Sequence, residues 1–162
     1  MMNKYLLDTN IISYLNDSNS PFCQAVRLKI NSMPDQDEIL ISVLTLYEHH
    51  YGVAKAKATG YNNPVIIDRL NVTDNMISNM FTVISLPIKG AELFGELKNM
   101  YRERMEQART KKKLARDLER INIDLMLAGS ALAENAIFVS NDNIFEEIKE
   151  MRPDFLLEDW TK

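Results

Sequence analysis

Residues 123–148 read IDLMLAGSALAENAIFVSNDNIFEEI, and this stretch decides the fold. Apolar residues at helical spacing run from Ile123 through Ala133. Ala136–Ser140 is a short β-rich run, and Asn143–Lys149 returns to helical spacing. Helix, strand and helix in immediate succession describe one crossover unit of a parallel sheet. An acid stands at each junction on one side: Asp124 where the first helix opens, and Asp142 just after the strand.

The same pattern holds towards the N-terminus. Tyr5–Leu7 is an apolar run ending at Asp8-Thr9-Asn10, with helical spacing through Ile11, Ile12 and Leu15. Pro21–Met33 reads as a second helix, closed by Met33-Pro34-Asp35. Residues 38–43 form a strand that gives way near Thr45 to a helix reaching Ala58 and ended by Gly60. Further helices are predicted over 65–80 and 91–109, flanking a strand at 81–86, and an edge strand over Phe155–Leu157. Alternating strands and helices predict an α/β fold, a three-layer α/β/α arrangement around a mostly parallel sheet. The length of 162 residues, with no repeat or linker, predicts one domain spanning residues 1–162.

In open parallel sheets the site lies beyond the carboxyl ends of the strands. That rule selects Asp8, Glu48, Asp124 and Asp142. Each acid has a plainer use. Thr45-x-x-Glu48 has capping-box spacing, and the three aspartates stand near helix starts, where an acid is stabilised by about 0.3–1 kcal/mol. Together the four weigh differently. Two carboxylates about 4 Å apart repel by roughly 4 kcal/mol at an effective dielectric of 20, more than a cap returns. A cluster of four calls for a cation, and all-oxygen ligation suits Mg²⁺, with Mn²⁺ as an alternative, rather than zinc. Such a site activates water and steadies an in-line displacement at phosphorus without a covalent nucleophile.

LLDTNIISYL (6–15), ISVLTLYEHHYGV (41–53) and the 123–148 stretch resemble, in order, the signature segments of PIN domains, particularly VapC-like toxins; Leu157-Glu158-Asp159-Trp160 resembles the tail of that family. The resemblance implies a metal-dependent endoribonuclease of a toxin–antitoxin pair. Asp8, Glu48, Asp124 and Asp142 would be its metal-binding and catalytic acids, with RNA as substrate. It also implies a cognate antitoxin as partner and a homodimer. Thr9 and Ser140 match positions whose hydroxyls support the acids, and Asn10 is expected to hold the Asp8 turn; ordinary turn chemistry explains all three equally well. The alternative is a PIN-fold module that binds RNA or protein without cutting.

One segment departs from the compact pattern. Residues 109–120 are strongly basic, and the apolar spacing of Leu114, Leu118 and Ile121 runs on through Leu125, Ala128 and Leu132. That spacing would place Asp124 inside a longer helix. The net charge is −4, yet residues 102–120 hold eight basic and four acidic residues, a local +4 against −8 elsewhere. Arg109, Lys113, Arg116 and Arg120 share one helical face that can meet an RNA backbone or simply face solvent. His49 and His50 point about 100° and 200° from Glu48 on a helix and are expected to serve surface or packing.

A receiver-like signalling domain is disfavoured, since Asp8 has no acidic neighbour and IFVSND offers no lysine. A phosphohydrolase built on Asp-x-Asp fails because Asn10 fills the second position. The single cysteine, Cys23, and the absence of a signal-peptide pattern or a roughly 20-residue apolar run predict a cytoplasmic protein without a membrane span.

Overall fold

The computed structural model describes residues 2–59, 64–106 and 111–162. In chain order the elements are β1 (Lys4–Leu7), α1 (Thr9–Asn16), α2 (Cys23–Asn31), β2 (Glu38–Ser42), α3 (Val43–Ala58), α4 (Pro64–Met80) and β3 (Thr82–Ile84). They continue with α5 (Ile88–Glu106), α6 (Lys111–Arg120), α7 (Asn122–Glu134), β4 (Ile137–Val139), α8 (Asn143–Met151) and β5 (Leu157–Glu158).

The five strands form one sheet in the order β3-β2-β1-β4-β5, and every pairing is parallel. Strand alternation divides the interior in two. Leu6, Leu40 and Phe138 project into one core, whereas Tyr5, Leu7, Ile41 and Val139 project into the other. The first core is closed by Leu97 and Tyr101 of α5, Leu114 and Leu118 of α6, Leu125 and Ala128 of α7, and Phe145 and Ile148 of α8. The second is closed by Ile11, Ile12 and Leu15 of α1, Val26 of α2 and Ile77 of α4. Helices therefore cover both faces, giving the expected three layers. Two buried faces explain why the strands read as apolar runs rather than as alternating patterns.

The strand order reverses between β1 and β4. From β1 the chain moves outward through β2 to β3, then crosses back to place β4 on the other side of β1. The flanking loops diverge there and leave a crevice at the carboxyl ends of the two strands. Asp8 follows β1 and Asp142 follows β4 at that point.

The apolar stripe from Leu114 to Leu132 is core, as its spacing predicts, but it does not run on one helix. The helix breaks at Ile121, whose φ of −95° and ψ of 8° separate α6 from α7. Asp124 thus lies in the first turn of α7 rather than inside a longer helix. Periodicity missed the break because Leu125 keeps register through the interruption, its N–H donating to the carbonyl of Ile121 at 3.0 Å. At its other end α7 closes on Asn135, left-handed at φ 51°, and Ala136 N–H returns to Ala131 O at 2.9 Å before β4 begins.

Helix α7 is seated against α5 by a glycine contact. A Cβ on Gly129 would stand 2.8 Å from Gly90 O and 3.1 Å from Phe94 N, so the two backbones approach where no larger residue fits. Helix α5 begins at Ile88, one turn earlier than the spacing predicts, and β3 is limited to Thr82–Ile84. Arg109 and the Gly60 helix end lie outside the described residues.

Candidate active site

Asp8 is the fixed point of the site. Its N–H donates to Val139 O at 3.0 Å, extending the β1–β4 ladder by one bond, and its backbone stays extended at φ −69° and ψ 153°. It is the N-cap of α1: Oδ1 accepts from Thr9 N–H at 2.7 Å. Oδ2 accepts from Ser140 Oγ at 2.7 Å, and Asp8 is only 6% exposed. Ser140, fully enclosed behind β4, also accepts from Asp142 N–H at 3.1 Å. One hydroxyl therefore ties the turn after β4 to the acid after β1.

Asp142 caps α8, accepting from Ile144 N–H at 3.4 Å, and its side chain is exposed. Glu48 is half-buried on α3, where Oε2 accepts from Thr9 Oγ1 at 2.5 Å. Thr9 thus serves two acids at once, Asp8 through its backbone and Glu48 through its hydroxyl. The capping-box alternative for Glu48 fails. Helix α3 starts at Val43, Ser42 Oγ accepts from Leu44 N–H at 3.2 Å, and Thr45 lies inside the helix, its hydroxyl unpartnered among the described residues. Asp124 is half-buried, and its carboxylate accepts no hydrogen bond among the described residues.

The electrostatics join the four acids. Burial pushes Asp8 up to about 6; Ser140 and Thr9 N–H pull it down, while the charges of Glu48 and Asp142 push it further up. Asp124 is also raised to about 6, by burial first and then by Asp8, Asp142 and Glu48. Acids from four separate elements thus act on one neighbourhood. Among the described residues no three carboxylate, imidazole or thiol groups converge closely enough to hold an ion as they stand. The donor set fits a hard divalent cation: its oxygens come from carboxylates, one acid accepts no hydrogen bond among the described residues, and two hold their protons unusually firmly.

The remaining expected residues divide. Asn10 is exposed and its side chain makes no hydrogen bond among the described residues; Asp8 caps its own turn, which leaves Asn10 nothing to hold. Lys113, Arg116 and Arg120 are exposed on α6, opposite buried Leu114 and Leu118. His50 is exposed, as expected. His49 is not a surface group: its side chain is 11% exposed and its Nε2 lies 2.9 Å from Asp74 Oδ1 on α4. With Thr45 and Asn16 it borders a cavity beside Glu48 that sequence reasoning missed. That cavity is formed by α1, α3 and α4 meeting, and no local pattern announces it. Behind Asp124, the Tyr101 hydroxyl donates to Glu147; burial and that carboxylate hold its proton well above the usual phenol range.

The fold is a doubly wound α/β/α domain, with Asp8 and Asp142 following the two strands at its topological switch point. The chain belongs to the PIN-domain family, whose pattern it matches over residues 5–151. It is 31% identical to Ribonuclease VapC2 of Rickettsia felis, over 98% of each protein. Its fold is similar to that in the crystal structure of VapBC2 from Rickettsia felis bound to a DNA fragment from their promoter. That match has a TM-score of 0.66 and 26% identity, over 97% of this chain and 98% of the other. The structure of VapBC-1 from nontypeable Haemophilus influenzae shares the fold with a TM-score of 0.66 at 21% identity, over 98% and 99% of the two chains. Among the described residues no helix is long and apolar enough to cross a membrane.

Proposed function

We propose that this protein is a divalent-metal-dependent endoribonuclease, a single nuclease unit that acts as the toxin of a toxin–antitoxin pair. The observation that carries the reading is Asp124, a half-buried carboxylate that accepts no hydrogen bond among the described residues and is raised to about 6 by burial and three other acids. A divalent cation would repay that cost. Full-length similarity to a protein named as a ribonuclease supports RNA as the substrate.

Asp8 and Asp124 are the residues we assign to direct metal ligation, Asp142 to completing the site, and Glu48 to a water-mediated ligand or a base. Bound there, Mg²⁺ or Mn²⁺ would offset the charge of the scissile phosphate and acidify a coordinated water. Glu48, held by the Thr9 hydroxyl, orients the attacking water and accepts its proton. Ser140 keeps Asp8 turned into the site and lowers its proton affinity. A cognate antitoxin and a second copy of the chain are the partners this reading assigns, and the cytoplasm is where it acts; the VapBC relatives support the antitoxin.

Purified protein on total RNA tests the reading. Cleavage is expected with Mg²⁺, lost in EDTA and reduced at least about 100-fold in Asp124→Asn. Cleavage that survives both interventions overturns it. Mn²⁺ binding without any cleavage favours the non-enzymatic module.

A further inference from the structure

Among the described residues only two Phe, Tyr or Trp side chains are exposed, and both stand on the helix that carries Glu48: Tyr47 and Tyr51, each 70% exposed. One exposed tyrosine is ordinary, but two on successive turns of one helix lie side by side and form a platform. Lys55, also exposed, continues the row four residues further on. At about 100° per residue, Tyr47, Tyr51 and Lys55 stand about 100°, 60° and 20° from Glu48, so the row curves onto the face that bears the acid. Leu44, on the same side of Glu48 as the row, packs against the core that α5 and α7 close. Thr45 and Gly52, on the other side, line the cavity next to α1 and α4. The rings therefore lie on the side of α3 turned towards α5 and α7, outside that cavity.

Charge on this face suits a polyanion. Glu48 is the only acid in α3. The exposed residues described in the helix are the two tyrosines, His50, Lys55 and three small residues, with no carboxylate among them. In a chain of net charge −4 this is a local reversal, and it adjoins the acids assigned to the scissile phosphate.

From this juxtaposition we infer that Tyr47 and Tyr51 are stacking residues for single-stranded RNA, holding bases beside the phosphate that the acids engage, with Lys55 on the backbone. Every base offers an apolar face to an aromatic ring, so such a platform is tolerant of sequence. The rings stand about 6 Å apart along the helix axis, further than the roughly 3.4 Å between stacked bases. Each therefore takes one unstacked base, and a duplex, whose bases are stacked inside, offers them none. The place of these bases next to the cut rests on the ribonuclease reading; the stacking itself does not.

Fluorescence anisotropy with the full chain in EDTA tests it, using labelled oligouridine and oligoadenosine of twelve nucleotides and the duplex of the two as probes. Tyr47→Ala and Tyr51→Ala should each weaken single-strand binding about fivefold or more and leave duplex binding unchanged. Tyr47→Phe and Tyr51→Phe should stay within about twofold of the wild type, because the ring stacks and the hydroxyl does not. Lys55→Ala should flatten the salt dependence by about 0.7 in slope, one phosphate contact. The alanine variants should melt no lower than the wild type, since the side chains are exposed and alanine suits a helix. Asp8→Asn should lose Mn²⁺ binding and keep the tyrosine effect, which separates failure of the platform from failure of the nuclease reading. The inference is overturned if the wild type binds neither single strand, or if the alanine variants bind them as tightly as the wild type. It is also overturned if they lose the duplex equally, or if phenylalanine costs as much as alanine. A change of oligomeric state in the double alanine variant, read by light scattering, overturns it too, since the face would then meet a second copy of the chain.

Discussion

The hydroxyl of Ser140 donates to Oδ2 of Asp8 at 2.7 Å, joining residues 132 apart in sequence at the carboxyl ends of adjacent strands. This bond opposes the burial that raises Asp8, and the same oxygen receives the Asp142 N–H. Ser140→Ala is expected to cost about 1–2 kcal/mol of stability and about 10-fold or more in RNA cleavage. The acid limb of the pH–rate profile should move to higher pH as Asp8 loses its donor. Ser140→Thr, which keeps the hydroxyl, should recover much of the activity.

Without metal the site destabilises the fold at neutral pH, and the sign follows from the direction of the shifts. Asp8 and Asp124 hold protons up to about 6 in the folded state, against 3.8 for a free aspartate. Between those values the folded chain binds protons that the unfolded chain has released. Their contribution is therefore favourable below about pH 4 and is lost as pH rises through about 6. In EDTA at pH 7.5, Asp8→Asn should stabilise the protein by about 1–3 kcal/mol, raising the melting temperature by roughly 2–8 °C. Asp124→Asn should do the same more weakly, because it is more exposed. Melting curves in EDTA at pH 5 and 7.5 check both; a destabilised Asp8→Asn at pH 7.5 contradicts the prediction.

On the proposed assignment of ligands, the same two acids set the pH dependence of metal binding. Below about pH 6 a cation must displace protons from Asp8 and Asp124, so Mn²⁺ affinity should fall by about tenfold per pH unit for each proton displaced. Calorimetry in buffers of different ionisation enthalpy would register the released protons. Affinity that stays level from pH 5 to pH 7 would remove these two aspartates from the ligand set.

Helix α7 carries Asp124, and its seating depends on Gly129. Gly129→Ala should destabilise the protein by about 2–4 kcal/mol, since the new Cβ meets Gly90 O and Phe94 N, which are backbone and cannot swing aside. Gly95→Ala, on exposed α5 surface with nothing within 4 Å, should stabilise by about 0.5–1 kcal/mol. Denaturant melts of the two variants should move in opposite directions.

We expect the exposed cations of α6 to bear on RNA affinity rather than on chemistry. Replacing Lys113, Arg116 and Arg120 together with alanine should weaken RNA binding most at low salt and flatten its salt dependence by up to about 2 in slope. Single-turnover cleavage at saturating RNA should change little. An unaltered salt slope would mean that this face only meets solvent.

Much of this site was legible because the rule used to find it is local. Asp8 and Asp142 follow short apolar runs directly, and a residue just past a parallel strand is placed by its position alone. Thr9 and Ser140 were marked by the resemblance, but their hydrogen bonds to Glu48 and Asp8 depend on α1 meeting α3 and on β4 lying beside β1. Glu48 was named from the sequence, and its capping alternative fell only when the start of α3 was known.

The sequence by itself determined the alternation of strands and helices, the two buried faces of the sheet and the acids at its ends. Each of these follows from periodicity and from what a neighbouring residue permits. Tertiary structure decided the rest: the break at Ile121 that puts Asp124 in a first turn, the Gly90–Gly129 approach, the burial that raises two aspartates, and the cavity between α1, α3 and α4. Burial and close approach belong to pairs of segments far apart in the chain, and a one-dimensional pattern does not record which segments will meet.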